Sequence, residues 1–486
     1  MDPYPIDDDQ AISRRRWLTS TAAGLQAAVL TDLFSKDIYG METPQIRSTY
    51  DLKPQPTHHE PQAKSIIHLF MNGGPSQMDL FDPKPELDKR HGQPYFSELA
   101  SEVENPTAAG ALMKCPYKFS QHGESGQWVS DALPHTAEIV DELAVIKSMY
   151  TTNLTHEPAL FKIHGGQELP GMPSIGAWVS YGLGTENQNL PAYVVLDDPL
   201  GLPVNQSQSW QSGFLPPVYQ GTRFRSTGEP VLNLSRDFEQ TDQVTSLEQE
   251  LIAGLDRIHK SRRPRQLRLD ARMASYELAA RMQLEATDAL DIAKETQETL
   301  DMYGIGEDTT DSYGRRCLYA RRLVERGVRY VQLYINFQIW DNHTGLTAGC
   351  KGACDRTDRP IAGLIRDLKQ RGLLDSTLVV WGGEFGRLPI AQLPANKDTA
   401  NAGRDHNKNA MITWMAGGGV KPGVSIGATD ELGFAAVEDR ISVADWHATI
   451  LHQLGLNYEH LYFERNGLKD RLTSVEEAHL IKSILK

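Results

Sequence analysis

Cysteine, long apolar runs and net positive charge are all scarce in this sequence, and each shortage excludes something. Only four cysteines, Cys115, Cys317, Cys350 and Cys354, occur in 486 residues. None forms a Cys-x-x-Cys pair, so a zinc ribbon has no support. Cys350 and Cys354 are close enough to bridge locally or to stand as plain helix neighbours. Past the N-terminal region no segment approaches the ~20 apolar residues of a membrane-spanning helix, so no stable membrane span is expected in the mature protein. Lys and Arg (49) are outnumbered by Asp and Glu (63), for a net charge of −14. That excludes nucleic acid as the main partner, because phosphate neutralisation needs a basic face. It does not exclude an anionic small substrate, since the field at a site can oppose the global sign. No Gly-x-Gly-x-x-Gly or Walker pattern follows a strand, which removes dinucleotide and nucleoside-triphosphate readings.

What is present begins with Ser13-Arg14-Arg15-Arg16-Trp17-Leu18, followed by a mildly apolar run to Leu33. A twin arginine before a weak apolar stretch has the form of a Tat export signal over residues 1–40. The Tat export machinery is then a partner, and the protein is expected in the periplasm or outside the cell. Residues 41–62, with Pro44, Pro54, Pro56 and Pro61, read as a linker. One large domain is expected over 63–480.

Strand-like runs in that domain are Ser65–Met71, Leu143–Met149, Ala192–Leu196, Tyr330–Ile335, Leu378–Trp381 and Ala410–Met415. Most are continuously apolar, as strands covered on both faces are. Helical patterns lie between them, for example Arg359–Leu373 with Ile361, Leu364, Ile365 and Leu368 on one face. The fold class is therefore α/β, a mostly parallel central sheet with helices on both faces. Leu247, Leu251, Leu255 and Ile258 make a helix stripe, and a second helix runs through Ala271–Ala293, so residues 240–300 read as a helical insertion. Ser442 and Asp445 have capping-box spacing, opening a helix that Gly455 stops.

Polar residues collect where these strands end. Asn72-Gly73-Gly74-Pro75-Ser76-Gln77-Met78-Asp79 follows the first strand. Asn153, Thr155 and His156 follow the second, Asp341 and His343 the fourth, and Glu384 the fifth; Arg404-Asp405-His406 precedes the last. Ligands of open α/β sheets bind outside the carboxyl ends of strands. Carboxylates and imidazoles in this mixture suit divalent cations. Asp341, His343, Glu384, Asp405 and His406 are the candidate metal ligands. Arg387 and Arg404 are placed to grip a phosphate or sulfate, or to orient the neighbouring carboxylates. Ala416-Gly417-Gly418-Gly419 reads as an oxyanion cradle or a tight turn. Asp445 and His447 are candidates to reach the site from the last helix.

The stretches LFMNGGPSQMDLFDPKP (69–85), CLYARRLVERGVRYVQLY (317–334), RGLLDSTLVVWGGEFGRLP (371–389), GRDHN (403–407), MAGGGVKPG (415–423) and DWHATILHQLGL (445–456) resemble the DUF1501 family of exported bacterial proteins. That family is grouped with the alkaline phosphatase and sulfatase superfamily. The resemblance implies one or two divalent ions (Zn, Ca, Mg or Mn) at the strand ends and a hydroxyl attacking phosphorus or sulfur. It makes Asp79 or Asp82 the first carboxylate, and Thr155 or Ser76 the nucleophile, with direct attack by water as a third route. No Cys or Ser stands in a C/S-x-P-x-R setting, so a formylglycine sulfatase is not expected. The implied activity is metal-dependent hydrolysis of phosphate or sulfate esters. The alternative is a non-catalytic metal- or glycan-binding protein on the same fold.

Overall fold

The computed structural model describes residues 51–225, 241–263 and 267–486. The segment expected to be an export signal (1–40), the first part of the expected linker and the Pro264-Arg265 break between the two insertion helices lie outside the described residues. Residues 51–62 run along the domain surface, tied by Gln55 N–H to Leu183 O, His58 N–H to Gly455 O and Gln62 N–H to Gln453 O.

Nine strands form the central sheet: β1 (Ser65–Phe70), β2 (Leu143–Tyr150), β3 (Tyr193–Leu196), β4 (Thr222–Phe224), β5 (Tyr330–Tyr334), β6 (Thr377–Gly382), β7 (Met411–Ala416), β8 (Val424–Ile426) and β9 (Ile441–Ser442). Their order is β8-β2-β7-β6-β1-β5-β3-β4, with β9 also beside β2. Every pair is parallel except those of β7, which is antiparallel to both β2 and β6. The carboxyl ends of eight strands thus share one rim, and the reversed β7 brings its amino end to the same rim. Each of the six expected strands is present to within a residue or two. Their residues are buried almost without exception, which is why they are mostly apolar.

The longer helices among the described residues are α1 (His156–Gly165), α2 (Ile175–Leu183), α3 (Asp242–Ser261), α4 (Leu267–Leu290), α5 (Asp311–Glu325), α6 (Leu346–Gln370) and α7 (Val443–Gln453). On one face of β1, His68 and Phe70 meet His164 of α1 and Trp446 of α7. Helix α5 packs on β1 and β5, and α6 packs on α5. Helix α6 starts well before the expected Arg359 and carries Pro360 inside it. Inside a helix a proline removes one N–H bond and its ring crowds the carbonyl four residues back; the packing of α6 on α5 offsets that cost. The insertion helix α4 buries Leu278, Met282, Ala286 and Ala289, one helical stripe. Helix α7 has the capping box: Ser442 Oγ accepts from Asp445 N–H, and Asp445 Oδ2 accepts from Ser442 N–H. The four cysteines are free. Among the described residues no helix is long and apolar enough to cross a membrane.

Candidate metal centre

The site is built from five loops on the shared rim. After β1 the chain turns through Gly73 and Gly74, both at positive φ (107° and 79°). A Cβ on Gly73 would lie 2.6 Å from Asp341 N. Only glycine lets this turn press against the loop after β5. After β2, Thr155 stands at the N-cap position of α1 without a side-chain capping bond, and His156 is the first residue of the helix. After β6 comes Glu384, fully buried. The loop before β7 is held in place by antiparallel pairing of Gly386–Arg387 with His406–Asn407, in which Arg387 faces His406.

These loops bring three imidazoles to one carboxylate. His343 Nε2 (3.0 Å) and His406 Nε2 (3.1 Å) approach Asp341 Oδ1, and His156 Nε2 lies 3.1 Å from Oδ2. One ligand atom from each of these four residues falls within 4.8 Å of all the others. Each histidine turns its other nitrogen to an outer oxygen. His156 Nδ1 is 2.7 Å from Glu384 Oε1, His343 Nδ1 is 2.5 Å from Gln392 Oε1, and His406 Nδ1 is 2.6 Å from Glu104 Oε2. His156 and His343 have Nδ1 hydrogen-bonded outside, as metal-ligating histidines do; His406 Nδ1 is close to Glu104 but makes no aligned hydrogen bond. Phe385 packs beneath His156 and His406, with ring centres 4.8 and 4.3 Å away.

Without a metal, the electrostatics favour the protonated imidazoles, so a bound cation would replace those protons. Burial works against charge on His156, but hydrogen bonds to Asp341 and Glu384, and their charges, outweigh it and raise the imidazole to about 9. His343 is raised by Asp341 against the same opposition from burial. Burial would raise the Asp341 carboxyl, yet the Arg387 charge and the three histidines hold it far below the usual carboxylate range. Three nitrogens converging on an anion call for positive charge between them. Three imidazoles and a carboxylate are a donor set that borderline divalent cations take. His156 Nε2, buried and without an aligned hydrogen-bond partner, fits the same need.

Of the residues singled out in the sequence, Asp341, His343 and His406 come together. Glu384 stands one layer behind, orienting His156 and accepting Gly73 N–H at 3.0 and 3.2 Å. Asp405 Oδ1 is 3.9 Å from His343 Nδ1 and accepts His406 N–H, while Oδ2 accepts Asn105 N–H. Asp79 is set apart, because Arg404 holds both its oxygens (2.7 and 3.0 Å) and Ser76 Oγ donates to it at 2.5 Å. Asp82 pairs with Lys84 at 2.9 Å. Arg404 also donates to Leu388 O and Met113 O. Arg387 donates to Asp341 at 2.7 Å and to the carbonyls of Gly73, Gly74 and Arg404. Both guanidinium groups are buried and committed to the protein. Thr155 is exposed, its hydroxyl 3.5 Å from Glu104 Oε1.

Other candidates fall elsewhere. Gly417, Gly418 and Gly419 make a left-handed turn at the carboxyl end of β7, on the opposite rim. His447 is buried against Ile163 O, and Asp445 serves the α7 cap. The string Gly423-Val424-Ser425-Ile426-Gly427 has nucleophile-elbow spacing, but Ser425 is exposed within strand β8 and leads into no helix. His156, Glu104 and Gln392 were not assigned as ligands or outer partners from the sequence. His156 could have been, as the imidazole next to Thr155 on a strand-end loop; Glu104 and Gln392 lie on connections with no pattern of their own.

Among curated proteins no relative matches the sequence. Solved structures do. The lipoteichoic acid synthase LtaP from Listeria monocytogenes is similar at 9% identity and TM-score 0.38, covering 84% of this chain and 76% of that one. The alkaline phosphatase from the Antarctic bacterium TAB5 is similar at 12% identity and TM-score 0.31, covering 74% and 92%. The PsFucS1 sulfatase from Pseudoalteromonas sp. is similar at 14% identity and TM-score 0.34, covering 82% and 68%. A family model described as "Protein of unknown function (DUF1501)" matches residues 63–485, most of the chain, and the protein belongs to that family.

Proposed function

We propose that the protein is an exported, metal-dependent hydrolase of phosphate or sulfate esters, with His156, Asp341, His343 and His406 holding a divalent cation. The observation that carries this reading is the shared orientation of the three histidines, Nδ1 outward to Glu384, Gln392 and Glu104 and Nε2 inward to Asp341. A divalent cation, when bound, supplies a Lewis acid for a phosphoryl or sulfuryl oxygen. The chain's own residues do the rest. Glu384 and Gln392 hold the imidazole planes, and Arg387 fixes the Asp341 carboxylate. Thr155, exposed beside Glu104, is the hydroxyl left available for attack, since Ser76 is committed to Asp79. In this reading Arg404 and Asp79 brace the loops instead of touching substrate.

A second reading is favoured by one observation. Arg387 and Arg404 have their donors committed within the protein, as a site that only holds a metal or a glycan would allow. The test is elemental mass spectrometry on the exported protein and on His156→Ala/His406→Ala, followed by assay on phosphate and sulfate esters. Bound metal lost in the variant, with turnover that falls in parallel, supports the hydrolase. Metal without turnover on any ester supports the binding protein. Full turnover without metal refutes both.

A further inference from the structure

Helix α3 carries its apolar stripe on the outside. Val244, Leu247, Leu251, Leu255 and Ile258 are between 46% and 64% exposed, and Leu251, at the centre, is the most exposed at 64%. Among the described side chains of α3 the half-buried positions are instead Ala253, Gly254, Asp256 and Lys260. A surface helix of a complete molecule shows the reverse arrangement, and a contiguous exposed apolar patch marks an interaction site.

Two features say what covers it. The stripe residues are spaced 3, 4, 4 and 3 apart, the same read in either direction. A second copy of the helix laid antiparallel therefore meets the first in register: Leu251 on Leu251, Leu247 on Leu255, Val244 on Ile258. The charge divides about the same centre. Before it stand Glu248 and Glu250, with no Lys or Arg from 242 to 251; after it stand Arg257, Lys260, Arg262 and Arg263 against the single acid Asp256. Antiparallel pairing sets the acidic half of each helix over the basic half of the other, and parallel pairing sets like on like. A self-complementary surface of this kind is what a two-fold homodimer requires. We propose that α3 is a homodimerisation helix, pairing antiparallel with α3 of a second copy about a two-fold axis at Leu251.

The test combines sedimentation velocity over a dilution series with crosslinking by a short bis-maleimide, using uncrosslinked and wild-type protein as controls for the native cysteines. The wild type should show a reversible monomer–dimer equilibrium. Leu251→Glu should raise its dissociation constant by at least about 30-fold, the size of an interface hot spot, without lowering the thermal midpoint measured at dilutions where the wild type is monomeric, because the side chain is exposed. Leu251→Cys should crosslink to itself. Leu247→Cys should crosslink poorly to itself but well when mixed with Leu255→Cys. A wild type monomeric at every concentration overturns the proposal, as does efficient self-linking of Leu247→Cys, which reports parallel pairing. Flotation of monomer with phosphatidylglycerol vesicles, lost in Leu251→Glu, assigns the face to a membrane surface and overturns it too. Protection of α3 amides from hydrogen exchange in a monomer assigns it to another part of the same chain, with the same consequence.

Discussion

Glu384→Gln is the most informative single change, because it keeps volume and removes charge at a fully buried position. The carboxylate accepts from two sides, His156 Nδ1 at 2.7 Å and Gly73 N–H at 3.0 and 3.2 Å. An amide offers one acceptor oxygen and one donor nitrogen. Oε1 accepts from both His156 Nδ1–H and Gly73 N–H, and Oε2 takes only the longer 3.2 Å contact, so an amide oxygen at the Oε1 place keeps both bonds without the charge and an amide nitrogen there loses both. Either way the charged acceptor is gone, and a hydrogen bond to a charged group contributes about 1.5–3 kcal/mol against about 0.5–1.5 for a neutral one. The imidazole is then held less firmly with Nε2 inward. Outer partners of this kind are typically associated with about 10–100-fold in metal affinity, which agrees with that energy. The dissociation constant for Zn²⁺, measured by competition with a chromophoric chelator, should therefore rise by about 10–100-fold. The thermal midpoint should recover toward the wild-type value at saturating Zn²⁺. Unchanged affinity would refute the role given to Glu384. A wild type whose midpoint does not move with Zn²⁺ would refute the metal centre itself. Equal loss of stability with and without Zn²⁺ would leave Glu384 a purely structural residue.

Three further outcomes are expected. In chelator-treated protein, the raised His156 adds stability that is fully present below pH 6.5 and is lost as pH rises through about 9; at 1.36 kcal/mol per pH unit the loss is about 3 kcal/mol, and urea midpoints that do not fall between pH 6 and 10 would contradict it. Under the sheet, burial pushes His68 and His447 down to about 3 and lowers His164 as well. Their neutral forms favour the fold above pH 6.5, and stability is lost as pH falls toward 3, so His447→Leu should shrink the loss between pH 7 and pH 5 by about 2 kcal/mol in urea titrations, whatever it does to stability at pH 7. Gly73→Ala, whose Cβ would lie 2.6 Å from Asp341 N at φ 107°, should weaken Zn²⁺ binding by an order of magnitude or more while the far-ultraviolet circular dichroism stays native; unaltered affinity would show that the turn after β1 does not position Asp341.

The strands were legible because burial on both faces leaves them mostly apolar, with few polar residues such as His68, Gln332 and Thr413. Val379, Val380 and Trp381 of β6 have β1 on one side and β7 on the other, and an unbroken apolar run is the only composition that position accepts. The rim was legible for a related reason. A buried strand that ends abruptly in Glu384, or in Asp341 and His343 a few residues on, marks where the chain leaves the core. The choice among rim residues was not legible. Asp79 and Asp341 both follow buried strands, yet Arg404 neutralises one and three histidines surround the other. Thr155 and His156 are adjacent in the chain, and which of them faces Asp341 depends on how α1 is set against the sheet.

By itself, then, the order of residues determined which segments could be buried, where each left the core and which chemistry was on offer there. Periodicity and composition are local quantities, and burial acts on them segment by segment. The tertiary structure decided which loops meet. The reversal of β7 brings the loop carrying His406 to the rim shared by the parallel strands, and the glycine turn after β1 admits Asp341 against it. Proximity between residues far apart in the chain comes from strand order and register. Those depend on the packing of the whole sheet and leave no mark on the sequence at either partner. The outward stripe of α3 divides in the same way: its spacing is written in the chain, and only the packed domain shows that the stripe stays exposed among the described residues.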